Sequence, residues 1–118
     1  MPPATVSARL SSLRFAGPLA GARSGAAADG GGRAVRLGIW REGGRVVRAR
    51  YRATSCASLI AYAEAACELI EAGCDPTRLD ADALRAAVTG VHPLHRSRAD
   101  LVASAARRAG TSLEEELT

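Results

Sequence analysis

Residues 33–73 read RAVRLGIWREGGRVVRARYRATSCASLIAYAEAACELIEAG, and the hydrophobic period changes within them from that of a strand to that of a helix. Val35, Leu37 and Ile39 alternate with Arg36, Gly38 and Trp40. After Glu42-Gly43-Gly44, Val47, Ala49, Tyr51 and Ala53 alternate with Arg48, Arg50 and Arg52. This predicts a β-hairpin over residues 33–53, with one apolar face towards the helices and an arginine face that reads as solvated rather than as a binding patch. From Thr54 to Gly73 the spacing is helical: Leu59, Ile60, Ala63, Ala66, Cys67 and Ile70 form one stripe, with Glu64, Glu68 and Glu71 towards the opposite side. Thr54 or Ser55 is the natural N-cap and Gly73 the natural stop. Cys56 is then expected in the first helical turn, where unpaired N–H groups and the helix dipole favour a thiolate.

Upstream of the hairpin, Val6, Leu10 and Leu13 share a face and suggest a short, weak helix within residues 1–14. FAGPLAGARSGAAADGGG, residues 15–32, is dominated by Gly and Ala. It has much conformational entropy to lose and few side chains to hold it, so it is expected to be a mobile loop, either a linker or a segment that approaches a ligand. Downstream, Cys74-Asp75-Pro76 breaks the chain and a second helix is expected over about Asp80–Val88, with Leu79, Ala83, Leu84, Ala87 and Val88 inward. His92-Pro93 marks the next break. A last helix over about Ser97–Ala109 turns Leu101, Val102, Ala105 and Ala109 inward, with Gly110 as its stop. Residues 111–118 are an acidic tail expected to fray. Strands grouped before helices imply an α+β class, a small antiparallel sheet with helices on one face, within a single domain over residues 1–110.

The chain has 118 residues, 47% of them hydrophobic, enough for one core. Its 16 cationic residues are all Arg, for a formal net charge of +4. That imbalance is mild and comes without a row of aromatics, which argues against a nucleic-acid binder. Cys56, Cys67 and Cys74 cannot all pair and lack CxxC spacing, so neither a disulfide framework nor a zinc knuckle is signalled. With no continuous apolar leader and no run long enough to span a bilayer, a soluble, cytoplasmic protein is expected. No phosphate loop, Ser/His/Asp arrangement or dinucleotide fingerprint appears, and no enzymatic activity is expected.

The line VRLGIWREGGRVVRARYRATSCASLIAYAEAACELIEAG, followed later by GVHPLHRSRADLVASAARRA, resembles the NifU N-terminal/IscU family of iron–sulfur cluster assembly scaffolds over roughly residues 15–109. The resemblance implies a SufE/NifU-like fold, and binding of iron or an iron–sulfur cluster. It places Cys56 on the family's second cysteine. The first would fall at Gly30, Gly31 or Gly32, with Asp29 the nearby acid. The third falls on Arg98 in an ungapped register, whereas a shifted register puts His95 on the family histidine and Arg96 on the cysteine. Two thiolate ligands are thus replaced in either register, and Cys56 with His95 remain as the implied ligands for metal or cluster. SufE sulfur acceptors share the implied fold, but their accepting cysteine lies on the loop leading into the hairpin, where this chain has none.

Three functions follow. The first is a scaffold-like protein holding iron or a cluster through Cys56 and His95, completed by a partner or by a homodimer that brings two copies of Cys56 together. A second is a sulfur-transfer accessory that accepts a persulfide on Cys56 from a cysteine desulfurase, the partner the resemblance implies together with other assembly proteins. In the third, the site is lost and the fold serves as an interaction module. Cys67, on the apolar stripe, reads as core; Cys74, past the helix end, reads as incidental.

Overall fold

Alternation in residues 34–53 sets the geometry of the whole chain. In the computed structural model, which describes residues 2–117, β3 (Ala34–Glu42) and β4 (Arg45–Ala53) pair antiparallel, with Val35 opposite Ala53, Leu37 opposite Tyr51 and Ile39 opposite Ala49. The loop between them is Gly43-Gly44, with φ of 58° and 81°. Both lie in the left-handed region that a two-residue hairpin loop demands and that glycine adopts without steric cost. Val35, Leu37, Ile39, Ala49 and Tyr51 are buried. Val47 departs from the expected alternation: Trp40 pairs with Arg48 but Arg41 pairs with Val46, so Val47 is an extra, bulged residue and is 46% exposed.

The remaining elements are β1 (Ala4–Thr5), α1 (Val6–Leu10), β2 (Arg23–Ala28), α2 (Ala57–Glu71), α3 (Ala81–Ala87), β5 (Val88–Thr89) and α4 (Arg98–Thr111), with 3₁₀ turns at Pro76–Arg78 and Pro93–His95. The class is α+β. A three-stranded antiparallel sheet is ordered β2-β3-β4, and β1 and β5 form a separate, short parallel pair. Helix α2 lies against β4, and α4 lies against β2 and β3.

Strand β2 overturns the loop expected over residues 15–32. Arg23 to Ala28 pair with Ile39 to Ala34, leaving only residues 29–33 as the connection. The entropy of these small residues is met by ladder hydrogen bonds, and their smallness lets α4 approach. A Cβ on Gly25 would lie 2.5 Å from Ala105 O, against helix backbone that cannot swing aside. Gly25→Ala should therefore destabilise the fold by about 1–3 kcal/mol. Gly30→Ala, with open space around it, should stay within about 0.5 kcal/mol of wild type. Urea midpoints that do not separate the two variants would refute the close approach.

Residues 15–22 are also ordered, as a strap over the sheet. Phe15 O accepts from Tyr51 N at 3.0 Å and Gly17 N donates to Tyr51 O at 3.1 Å, so the strap borders β4. It then crosses the outer face, where Leu19 and Ala22 occupy the space that a Cβ on Gly38 would fill. Phe15, Leu19 and Ala22 are buried. The acidic tail docks too. Gly21 N donates to Glu116 O at 2.8 Å, and Glu116 N to Ala22 O at 2.6 Å.

Helix α2 starts later than expected: its N-cap is Cys56, and Thr54 instead closes the hairpin, its Oγ1 accepting from Ala34 N at 3.1 Å. Leu59, Ala63, Ala66, Cys67 and Ile70 are buried, and Ile60 is half-buried. Glu64 does not face solvent. It is 3% exposed, and its carboxylate accepts from Arg14 N at 2.9 Å, Phe15 N at 3.0 Å and the Tyr51 hydroxyl at 2.9 Å. Because β4, α1 and the strap surround this helix, its polar stripe narrows to Glu68 and Glu71, which pair with Arg9 and Arg50. Arg9 is buried on α1 where an apolar face was expected; it donates to Ala87 O at 3.1 Å, and Leu13 is left exposed. Asp80 caps α3, and Ala83, expected inside, is exposed. Helix α4 buries Val102, Ala105 and Ala109, leaves Leu101 half-buried and continues through Gly110, whose φ is not positive, to Thr111.

Candidate functional site

Cys56 sits where β4 hands over to α2, with φ −135° and ψ 116°. These extended angles, not helical ones, place it one position before the first turn. Its N–H donates to Thr54 O at 2.8 Å and its carbonyl accepts from Ile60 N at 2.9 Å, so the backbone is pinned on both sides. The thiol is half-buried and makes no capping bond to the helix. The first turn of α2 therefore lacks a side-chain cap.

His95 comes to the same end of α2. Its Nδ1 lies 3.3 Å from Oγ of Ser58, two residues after Cys56 and itself buried. In the tautomer that donates Nδ1–H to Ser58, Nε2 carries the free lone pair. Burial of the ring, then the charges of Arg98, His92 and Arg33, push its pKa below the usual histidine value. The neutral imidazole, the ligating form, is thus favoured at neutral pH. His92 caps the turn by accepting from Leu94 N at 3.1 Å through Nδ1, and its ring centroid is 5.4 Å from that of His95. Arg98, one register candidate for the third family cysteine, holds this turn by donating to Leu94 O at 2.9 Å; Arg96, the other, is exposed.

The loop at residues 29–33, where the resemblance puts the first family cysteine, is held by its own contacts. Asp29 is already engaged, accepting from Gly31 N at 2.9 Å, Arg33 N at 3.2 Å and Arg33 Nε at 2.8 Å. Burial pushes its carboxyl up, but these hydrogen bonds outweigh that and hold it below the usual aspartate value. Among the described residues no three His, Cys, Asp or Glu side chains cluster closely enough to hold a metal ion.

The chain matches no protein-family model, and no curated protein matches it.

The other two thiols are set apart. Cys67 is fully buried, and burial first, then the charges of Glu64 and Glu71, push its pKa well up. Cys74 is half-buried beyond the end of α2, and its thiol too is pushed up, by burial and then by Asp75 and Asp80. Ser58 was not singled out from the sequence. The signal for it was its position two residues after the cysteine, on the face that receives the Pro93–His95 turn.

Proposed function

We propose that this protein is a non-enzymatic, scaffold-like accessory of iron–sulfur assembly that offers Cys56 and His95 as a partial ligand pair to iron or a nascent cluster. The observation that carries the reading is the 3.3 Å contact between Ser58 and His95, which brings an imidazole to the helix end that bears the free thiol. A thiolate and an imidazole are suitable ligands for iron, and orienting a ligating imidazole through its second nitrogen is a common supporting device. Two ligands of the usual four leave the rest to a partner or a second copy. Cobalt(II), as a spectroscopic stand-in for iron(II), tests this. Thiolate-to-metal charge-transfer absorption is expected in wild type, absent in Cys56→Ser and weakened in His95→Ala. An unchanged spectrum in Cys56→Ser would overturn the ligand assignment.

One observation favours a second reading. Asp29, the acid that the resemblance puts near the first family cysteine, is tied to Arg33 and to the loop backbone, so it is not free to complete a ligand set. Persulfide acceptance needs one thiol only. The Cys56 thiolate would attack the outer sulfur of a desulfurase persulfide, forming a Cys56 S–S bond while the donor's S–S bond breaks and the donor departs as a thiolate. Mass spectrometry after desulfurase turnover would then find one added sulfur atom on the peptide containing Cys56.

A further inference from the structure

On the outer face of the sheet Arg36 and Arg52 stand directly opposite each other, and Arg48 stands opposite Trp40. Like charges so placed repel unless a counter-charge reaches them. The carboxylates of α2 are spent elsewhere: Glu64 on the strap backbone and Tyr51, Glu68 on Arg9, Glu71 on Arg50. Arg52 is exposed and has no hydrogen bond or ion pair among the described residues. The Arg48 guanidinium lies 5.0 Å from the Trp40 ring centroid and likewise meets no carboxylate among them.

The counter-charge that does arrive comes from the tail. Glu116 Oε2 accepts from Ser24 Oγ and lies 3.5 Å from the Arg36 guanidinium, while the Glu116 backbone pairs with Gly21 and Ala22. An extended acidic segment is thus already seated beside one member of the arginine pair, which shows the chemistry that the surface accepts. We infer that the sheet face around Arg36 and Arg52 docks an acidic, extended segment of a partner protein, and that Glu114–Glu116 screen this face until the partner displaces them. Trp40 is the one ring on the strand face and it carries Arg48, so the row of stacking rings that a single-stranded nucleic acid would use is missing. The inference uses neither Cys56 nor His95, so its test can fail independently of theirs.

The test is anisotropy of a fluorescein-labelled peptide of alternating Glu and Ala, titrated with the full-length protein at low salt. Replacing Glu114, Glu115 and Glu116 together by Gln leaves the backbone pairing with Gly21 and Ala22 intact and should tighten binding about two- to fivefold, the scale of an exposed ion pair. Arg52→Glu should weaken it by about five- to tenfold, since a favourable pair becomes a repulsive one. Arg78→Glu, the same charge change on the turn next to α4, should leave it unchanged. Unaltered affinity in the Gln variant or in Arg52→Glu, or an equal loss in Arg78→Glu, would overturn the inference. So would tighter binding of an oligothymidylate than of the peptide, which would make the face one for nucleic acid.

Discussion

In the native protein Cys56 is expected to be alkylated about a thousandfold or more faster than Cys67. Cys67 has no accessible surface, and burial with the nearby Glu64 and Glu71 carboxylates suppresses its thiolate. A reagent reaches it only when the core opens. With global stabilities of about 5–15 kcal/mol, the open fraction is below about one in a thousand. Cys56 needs no such opening, because it sits half-buried at the N-cap position of α2 with its thiol free of any capping bond. Cys74 should fall between the two, accessible but with its thiol pushed up. Peptide mass spectrometry along an alkylation time course at neutral pH reads this order directly. Equal protection of Cys56 and Cys67 would leave the ligand and persulfide proposals without their thiol, and the interaction-module reading would stand in their place.

Glu64→Ala should cost about 3–5 kcal/mol of stability, a large share of the total. The loss is not that of a surface charge. Two backbone N–H groups, of Arg14 and Phe15, and the Tyr51 hydroxyl all converge on this one carboxylate. Without it they are left with no acceptor, and the strap keeps only its two backbone bonds to Tyr51 and the burial of Phe15 to hold it against β4. Tyr51→Phe removes one of the three bonds and leaves both backbone donors satisfied, so about 1–1.5 kcal/mol is expected. Glu64→Gln should fall between them, because an amide keeps one accepting oxygen where three donors need two. Urea unfolding of the three variants checks the series. A Glu64→Ala loss below that of Tyr51→Phe would show that the strap does not depend on this residue.

The hairpin was legible because its residues alternate in size and polarity around a Gly-Gly turn. Strand β2 was not, because Gly25, Ala26, Ala27 and Ala28 carry too little side chain to show a period. Its pairing is dictated by β3 on one side and by the approach of α4, both distant in sequence. Glu64 was misplaced for a related reason. A helical stripe locates the apolar side of α2 but not how many neighbours enclose that helix, and here the strap adds one on the polar side. At the candidate site, Cys56 and His95 could be singled out by residue type, yet the contact between Ser58 and His95 spans 37 residues and depends on where the Pro93–His95 turn folds back.

The strap and the tail have one more consequence, for how copies of this chain could meet. A small sheet normally exposes two unpaired borders, each a template on which another molecule can add a strand. Here the β4 border is occupied at Tyr51 by Phe15 and Gly17, and at Ala49 by the Glu71 carboxylate. The β2 border is met by the Arg23–Glu115 bridge, by Glu116, and by Arg108 at Ala26. Fibre-like growth by extension of this sheet therefore meets an occupant on both borders, and a dimer formed by that route would first have to displace the strap or the tail.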